Sequence, residues 1–170
     1  MNEKEIEKYL QMVGQELQKE GLTFEILLLG GAAMLIEVKN RDSTQDVDTY
    51  FLPDFLAITK ASAIVAGREG LPDGWLNAAA AGFTYSFIRQ PERKLWKKFP
   101  GLHVYTASLD YLFVTKMMAG RPKDDEDVTA LAKMLYISKQ EEALALMVQY
   151  VPKEQITVDV LRGIRRCFKQ

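Results

Sequence analysis

Three short groups of residues have the types and spacing that chemistry requires. The first is Gly30-Gly31, which ends the apolar run Phe24-Glu25-Ile26-Leu27-Leu28-Leu29 and precedes Ala32. A strand that stops at two glycines before a helix leaves backbone N–H groups free at the helix start, and the missing Cβ atoms let the backbone approach an anion closely. The second group is Arg41-Asp42-Ser43-Thr44-Gln45-Asp46-Val47-Asp48. Strand alternation puts Asp46 and Asp48 on one face and Val47 on the other. Two like charges side by side repel unless a cation sits between them. Mg²⁺ takes carboxylate oxygens and keeps its other positions for water or substrate phosphates, so the pair suits a metal–triphosphate complex. The third group is Lys116, within the apolar Leu112-Phe113-Val114-Thr115-Lys116-Met117-Met118, followed by Arg121, Asp124 and Asp127.

Each group also has a plainer reading. A Gly-Gly pair alone makes a tight turn, and an isolated Asp-x-Asp can be a solvated strand face or a helix cap. A lysine in an apolar helix either snorkels to water or meets an anion. Asp124 and Asp127 stand in a first helical turn, where acids meet the helix dipole favourably. What joins the first two groups is their order: the Asp pair follows the glycine turn and opens the apolar segment Val47–Leu52.

Positioning these groups takes a small α/β framework. Ile6, Leu10, Val13 and Leu17 recur at helical spacing, with Gly21 where a C-cap belongs. Phe24–Leu29 reads as a buried strand, Ala32–Val38 as a short helix, Lys39–Gln45 as a polar loop and Val47–Leu52 as a second strand. Pro53-Asp54 opens a helix to about Gly67, with Gly70 beyond it. Two more strands are expected at Phe83–Ile88 and Leu102–Tyr105, separated by a basic connection. From Ser108 onward the pattern is helical, with Ser108, Ser138 and Thr157 as N-caps and breaks at Gly120-Arg121-Pro122 and Val151-Pro152. The expectation is an α/β (α+β) chain with a mixed sheet of about four strands flanked by helices. Residues 1–107 form the core and 108–170 a C-terminal tail of three helices, packed on it or continuous with it.

The composition agrees with a folded domain. Hydrophobic residues make up 48% of the 170 residues, including 8 Phe, 7 Tyr and 2 Trp, so disorder is excluded. With 22 basic and 23 acidic residues, the net charge is −1, too small for a global field that attracts nucleic acid. The single cysteine, Cys167, rules out an intrachain disulfide and a cysteine-built zinc site. MNEKEIEKYL is charged from its second residue, and no apolar run reaches bilayer length, so a soluble cytoplasmic protein without membrane contact is expected.

The order Gly-Gly, then R-x-S-T-x-D-h-D, then K-x-x-x-x-R-x-x-D-x-x-D resembles the DNA polymerase β-type nucleotidyltransferase superfamily. Within it, the chain is most similar to the DUF6036 group, related to the AbiEii-like nucleotidyltransferase toxins of abortive-infection systems. The resemblance runs from about Phe24 to Leu135 and implies the nucleotidyltransferase fold. It implies that Gly30 and Gly31 hold the phosphates of an NTP, with Ser43 and Thr44 lining the same pocket. Asp46 and Asp48 would be the catalytic residues and the ligands of Mg²⁺ (or Mn²⁺). Lys116 would neutralise phosphate charge, with Arg41, Arg121, Asp124 and Asp127 in support.

One departure stands out. Active members bring a third carboxylate from a later strand, and Phe83-Thr84-Tyr85-Ser86-Phe87-Ile88 holds none. Alanines follow Leu76-Asn77 where relatives often place an Asp. Two functions therefore stay open. One is NMP transfer to an RNA or protein hydroxyl, within a toxin–antitoxin or phage-defence pair. The other is a non-catalytic domain that binds nucleotide or a cognate protein partner.

Three further features carry less. His103, the only histidine, lies on an expected strand and reads as structural before it reads as a base. Cys167 beside Phe168 reads as packing. Arg89 to Lys98 holds five basic residues and Trp96 within ten positions, either to touch a tRNA acceptor end or as a solvated loop with the Trp tucked in. Leu161, Ile164 and Phe168 form a helical stripe for a core or a dimer seam.

Overall fold

The computed structural model describes residues 1–51, 55–78 and 89–168. They belong to two compact units, Met1–Ala81 with Arg93–Ala107, and Gly82–Glu92 with Ser108–Gln170. The expected strand Phe83–Ile88 and the helix opening at Pro53-Asp54 lie outside the described residues.

The first unit begins with α1 (Glu3–Lys19), which Asn2 and Glu5 close with a reciprocal capping box. Its stripe Ile6, Leu10, Val13 and Leu17 is buried. There follow β1 (Phe24–Leu28), α2 (Gly30–Ala33) running on into a π-helical turn at Met34–Val38, and β2 (Val47–Phe51). Then come α3 (Phe55–Glu69), the short β3 (Leu76–Asn77), β4 (Arg93–Phe99) and β5 (Leu102–Ala107). The sheet order is β3-β2-β1-β5-β4. β1 runs antiparallel to β2 and parallel to β5, β3 is parallel to β2, and β4 is antiparallel to β5.

Among the described residues the sheet has five strands, a mixed sheet flanked by helices as expected, against a count of about four. Much of the basic segment expected to be a connection is the edge strand β4, bulged between Leu95 and Lys97. An edge strand studded with lysines and kinked by a bulge resists pairing with another chain. Three of its four cations are matched within the unit: Arg93 to Glu25 at 3.3 Å, Lys94 to Glu37 at 3.2 Å and Lys97 to Glu7 at 2.8 Å. Trp96 is half-buried, with the Lys97 ammonium 5.6 Å from its ring centre.

β4 and β5 meet α1 through two glycines. A Cβ on Gly14 would lie 2.5 Å from the Pro100 carbonyl oxygen. At Gly101, where φ is +72°, one would collide with the Gly14 carbonyl and lie 2.8 Å from the Gln18 nitrogen. Backbone thus touches backbone, and Leu102 and Val104 of β5, like Ile6 and Leu10 of α1, are fully buried.

The second unit is helical: α4 (Leu109–Ala119), a 3₁₀ turn at Pro122–Asp124, α5 (Asp125–Met134), α6 (Gln140–Tyr150), a second 3₁₀ turn at Lys153–Gln155 and α7 (Val158–Cys167). Among the described residues from Ser108 onward, four α-helices stand where three were expected. α5 and α6 are separate because the chain passes through a left-handed residue, Tyr136, at φ +57°. α4 is apolar nearly all round, burying Tyr111, Leu112, Phe113, Val114 and Met117, as a central helix must. Gly120, at φ +62°, ends it. The cap of α6 falls on Lys139, one residue past the expected Ser138, whose N–H donates to Glu142 at 2.7 Å. Thr157 caps α7 as expected. Ile164 and Phe168 are buried within this unit, Phe168 tilted against Phe113 at 6.2 Å. The Tyr150 hydroxyl donates to Asp110, tying α6 to α4; burial first, and that bond second, push the Tyr150 phenol up to about 12.

Gly101 and Gly70 separate space from conformation. Both have positive φ, but a Cβ on Gly70 meets nothing within 4 Å. Gly70→Ala should cost about 1 kcal/mol for the left-handed backbone. Gly101→Ala should cost about 3 kcal/mol, because the collision with α1 adds to that strain. Urea denaturation of the two variants checks this, and equal losses would refute the close contact.

Candidate functional site

The site grows out of how β1 ends. Leu29 is extended, and its N–H donates to the Asp48 carbonyl at 2.9 Å, the last rung between β1 and β2. The chain then turns at Gly30, where φ is +53°, a conformation glycine adopts without penalty. A Cβ there would collide with Asp48 Oδ2 and lie 3.0 Å from the Asp48 Cβ and Cγ. At Gly31 a Cβ would collide with Thr44 Oγ1 and lie 3.3 Å from Arg41 Nη1. The two glycines are therefore the floor on which Asp48, Thr44 and Arg41 rest.

Strand parity holds at β2. Val47 and Thr49 are fully buried, while Asp46 and Asp48 are half-buried. Asp46 lies just ahead of the strand, and its Oδ2 accepts from Asn77 Nδ2 at 3.3 Å. Asn77 is the β3 partner of Asp48 in register. Behind it, Trp75 is buried, its indole N–H donating to the Ser62 carbonyl in α3 at 3.1 Å and its ring edge-on to Tyr9 at 5.7 Å. The Val47 N–H meets the Trp75 carbonyl at 2.7 Å. That anchor sets β3 beside the Asp pair.

Ahead of β2, Thr44 donates its hydroxyl to the Asp46 carbonyl at 3.0 Å and its N–H to the Met1 carbonyl at 2.8 Å. Ser43 is exposed. The structure thus brings Gly30, Gly31, Arg41, Thr44, Asp46 and Asp48 into one set of contacts, with Asn77 added to it. No sequence reading assigned Asn77 a role, because its partner is distant in the chain.

The third group lies in the helical unit. Lys116 is 7% exposed, and its ammonium stands 2.7 Å from both Asp124 Oδ1 and Asp127 Oδ2. Arg121 Nε reaches Asp124 Oδ2 at 2.6 Å. Two cations and two carboxylates balance within this group. Nearby, Arg166 grips Asp125 with two nitrogens at 2.5 and 2.7 Å, and those hydrogen bonds hold the Asp125 carboxyl below its ordinary range. Cys167 is half-buried; burial first, and Asp125 second, push its thiol up to about 11, so it is no thiolate at neutral pH. His103 stands half-buried on β5 opposite Glu25.

A cation of the Mg²⁺ class can be tested against this donor set. Among the described residues, no three His, Cys, Asp or Glu side chains come together in a way that could hold a metal ion. Two carboxylates do share one strand face, and Asp48 sits over a glycine cradle that any Cβ would fill. Hard oxygen donors in that number suit an ion that completes its shell with phosphates and water. The residues fit one such ion.

Removing the Lys116 charge should expose how far the helical unit depends on it. Lys116→Met leaves Asp124 and Asp127 buried without their shared cation and should cost about 3–5 kcal/mol in urea denaturation. Adding Asp124→Asn and Asp127→Asn should recover most of the loss. A single-variant loss under about 1 kcal/mol would class the cluster with exposed ion pairs.

Among the described residues, no helix is long and apolar enough to cross a membrane. The chain matches, over residues 8–157, the profile of a family described as nucleotidyltransferase of unknown function (DUF6036). No curated protein and no solved structure matches it. The match takes in the glycine turn, the Asp pair and the Lys116 cluster alike, and the chain belongs to the DUF6036 nucleotidyltransferase family.

Proposed function

We propose that the chain binds an NTP with Mg²⁺ (or Mn²⁺) at the glycine turn and the Asp pair, and moves an NMP group to a hydroxyl of RNA or protein, the α–β phosphoanhydride bond breaking to release pyrophosphate and the hydroxyl proton passing to solvent. The observation that supports this most is the contact of Asp48 with Gly30, which seats a carboxylate directly over a turn that has room for nothing but hydrogen. Asp46 and Asp48 are the residues that would hold the ion. Bound there, it would supply charge neutralisation on the triphosphate and lower the proton affinity of an acceptor hydroxyl. The Gly30 and Gly31 backbone would seat the phosphates, with Ser43 exposed at the rim. Arg41 and Thr44 keep the loop on the glycines and so hold Asp46 at its place. Lys116, Arg121, Asp124 and Asp127 brace the helical unit.

The resemblance to AbiEii-like toxins supports an RNA, such as tRNA, or a cognate protein as acceptor. It also supports a place in a toxin–antitoxin or phage-defence pair. Three of the four cations of β4 add little to an RNA surface, since Arg93, Lys94 and Lys97 already face glutamates.

A second reading has its own observation. Among the described residues no third carboxylate joins Asp46 and Asp48, and the β3 position beside Asp48 carries an amide. A domain that binds a nucleotide without turning it over would look the same.

Thermal melts with Mg²⁺ or Mn²⁺ and each NTP separate these outcomes. Ligand at a hundred times its dissociation constant should add about 2.7 kcal/mol of stability. Asp46→Asn with Asp48→Asn should abolish that gain while leaving the apo protein folded. Labelled NMP appearing on RNA or protein, and lost in the double variant, supports transfer. Binding without transfer supports the second reading, and ligand stabilisation that survives the double variant places the nucleotide elsewhere.

A further inference from the structure

The two faces of the sheet are used differently. On one, a Cβ on Gly14 of α1 would lie 3.1 Å from the Leu102 Cβ, and Glu37 of the π-helical turn accepts from Thr106 at 2.8 Å. Leu102, Val104 and Thr106 are fully buried there. Their neighbours on β5, His103 and Tyr105, point the other way and are half-buried. Register carries this second face across four strands, where Tyr50, Leu27, Tyr105 and Leu95 form one row. Leu27 is buried and Leu95 is 50% exposed. Asp48, two residues before Tyr50 on β2, lies on the same face. The bulge in β4 brings a cation to it. Lys98 stands three positions after Leu95, while their partners His103 and Tyr105 stand two apart, so the extra residue turns Lys98 to the side of Leu95. Lys98 is exposed and, among the described residues, is the β4 cation outside the three ion pairs.

Resting on the proposed transfer to RNA, we infer that this face is the platform for a single-stranded acceptor RNA, with bases stacked on Tyr50 and Tyr105 and the terminal hydroxyl delivered towards Asp48. The two rings are two strands apart, roughly 10 Å, so each can take its own base. An aromatic face accepts any base, because every base has a π-face. Tyr105 is held for that use: its hydroxyl donates to Glu25 at 3.0 Å, and the Arg93 guanidinium lies 5.3 Å from its ring centre. A guanidinium over a tyrosine is itself a surface on which a base stacks. Charge contributes little here, since Glu25 already matches Arg93 and Lys98 is left for one phosphate. Tyr50 shares a strand with Asp48, so the end of the RNA lies over β2 and its body runs towards β4. A peptide acceptor would join the sheet at its edge instead. That edge is β4, kinked and lined with lysines.

The test is fluorescence anisotropy of a labelled single-stranded RNA of about ten nucleotides, using the full chain with EDTA and neither metal nor NTP. Wild type should bind, and Tyr50→Ala and Tyr105→Ala should each weaken binding about tenfold. Tyr105→Phe keeps the ring and should bind as wild type does. The logarithm of affinity should fall against the logarithm of salt concentration with a slope of about −0.7, one phosphate contact, and Lys98→Gln should flatten it. A wild type that binds no RNA overturns the inference, even if the face holds a protein. Binding that both alanine variants leave unchanged overturns it, as does Tyr105→Phe losing as much as Tyr105→Ala. If Tyr105→Ala does not fold, Leu95→Asp at the exposed end of the row decides: it should weaken binding, and unchanged binding overturns the platform. NTP binding and NMP transfer, measured separately with Mg²⁺, keep the two levels apart. RNA held through the tyrosines by a chain that binds no NTP supports the platform and brings down the nucleotide reading alone. Transfer to RNA that is lost in the Asp46→Asn with Asp48→Asn variant, yet indifferent to Tyr50→Ala and Tyr105→Ala, removes the platform alone.

Discussion

Everything around the candidate site follows from one steric fact, that the Asp48 carboxylate occupies the space a Cβ on residue 30 would need. β1 and β2 are antiparallel neighbours up to the rung between the Leu29 N–H and the Asp48 carbonyl, so residues 30 and 48 must pass at close range. Glycine at 30 meets two demands together, since it tolerates a φ of +53° and leaves room for the carboxylate. With residue 30 settled, residue 31 inherits a similar limit from Thr44 and Arg41. The loop from 41 to 46 can then lie flat on the turn, and Asp46 arrives at the start of β2 on the same side as Asp48. Trp75, sunk beneath α3, does the corresponding work from the other flank by bringing Asn77 to Asp46.

The two units handle charge in opposite ways. In the first, Asp46 and Asp48 remain half-buried, and Arg93, Lys94 and Lys97 of β4 are spent on glutamates in pairs that contribute little stability each. In the second, Lys116, Asp124 and Asp127 pair with one another out of reach of water, and the exposed Arg121 joins them at Asp124. Desolvating such a group offsets most of its mutual attraction, so its value lies less in stability than in what happens when one member is lost. A buried charge that loses its partner has nowhere to go.

What was legible in the sequence was what is decided locally. Helix stripes such as Ile6, Leu10, Val13 and Leu17, the glycine turn and the parity of Asp46, Val47 and Asp48 depend on neighbours a few residues away, and the structure places each accordingly. β4 could not be read that way. As an edge strand with a bulge at Trp96 it lacks the alternation of a buried face, and its lysines read as a loop. β3, two residues long, is too short to carry any period. The split of the tail into four helices hinges on a tyrosine in a left-handed conformation, a residue with no propensity for it. The Asn77–Asp46 contact depends on a partner across the sheet, which no local pattern announces. Lys116 was legible as a cation in want of an anion. Which anions it meets is tertiary information.

The parallel pairing of β1 with β5 has a consequence for the order in which the chain takes shape. Phe24–Leu28 sits at the centre of the sheet, yet one of its two neighbours is Leu102–Ala107, much later in synthesis. β1, β2 and β3, which carry the site, can find one another early, but one edge of β1 stays open until β5 is made. Closing so long a loop is entropically slow, and the exposed edge belongs to a strand of Ile26, Leu27 and Leu28. During that interval this apolar strand edge has no partner of its own. The hairpin of β4 and β5 therefore completes the core and, in the same step, ends the period in which the nascent chain could pair with a stranger.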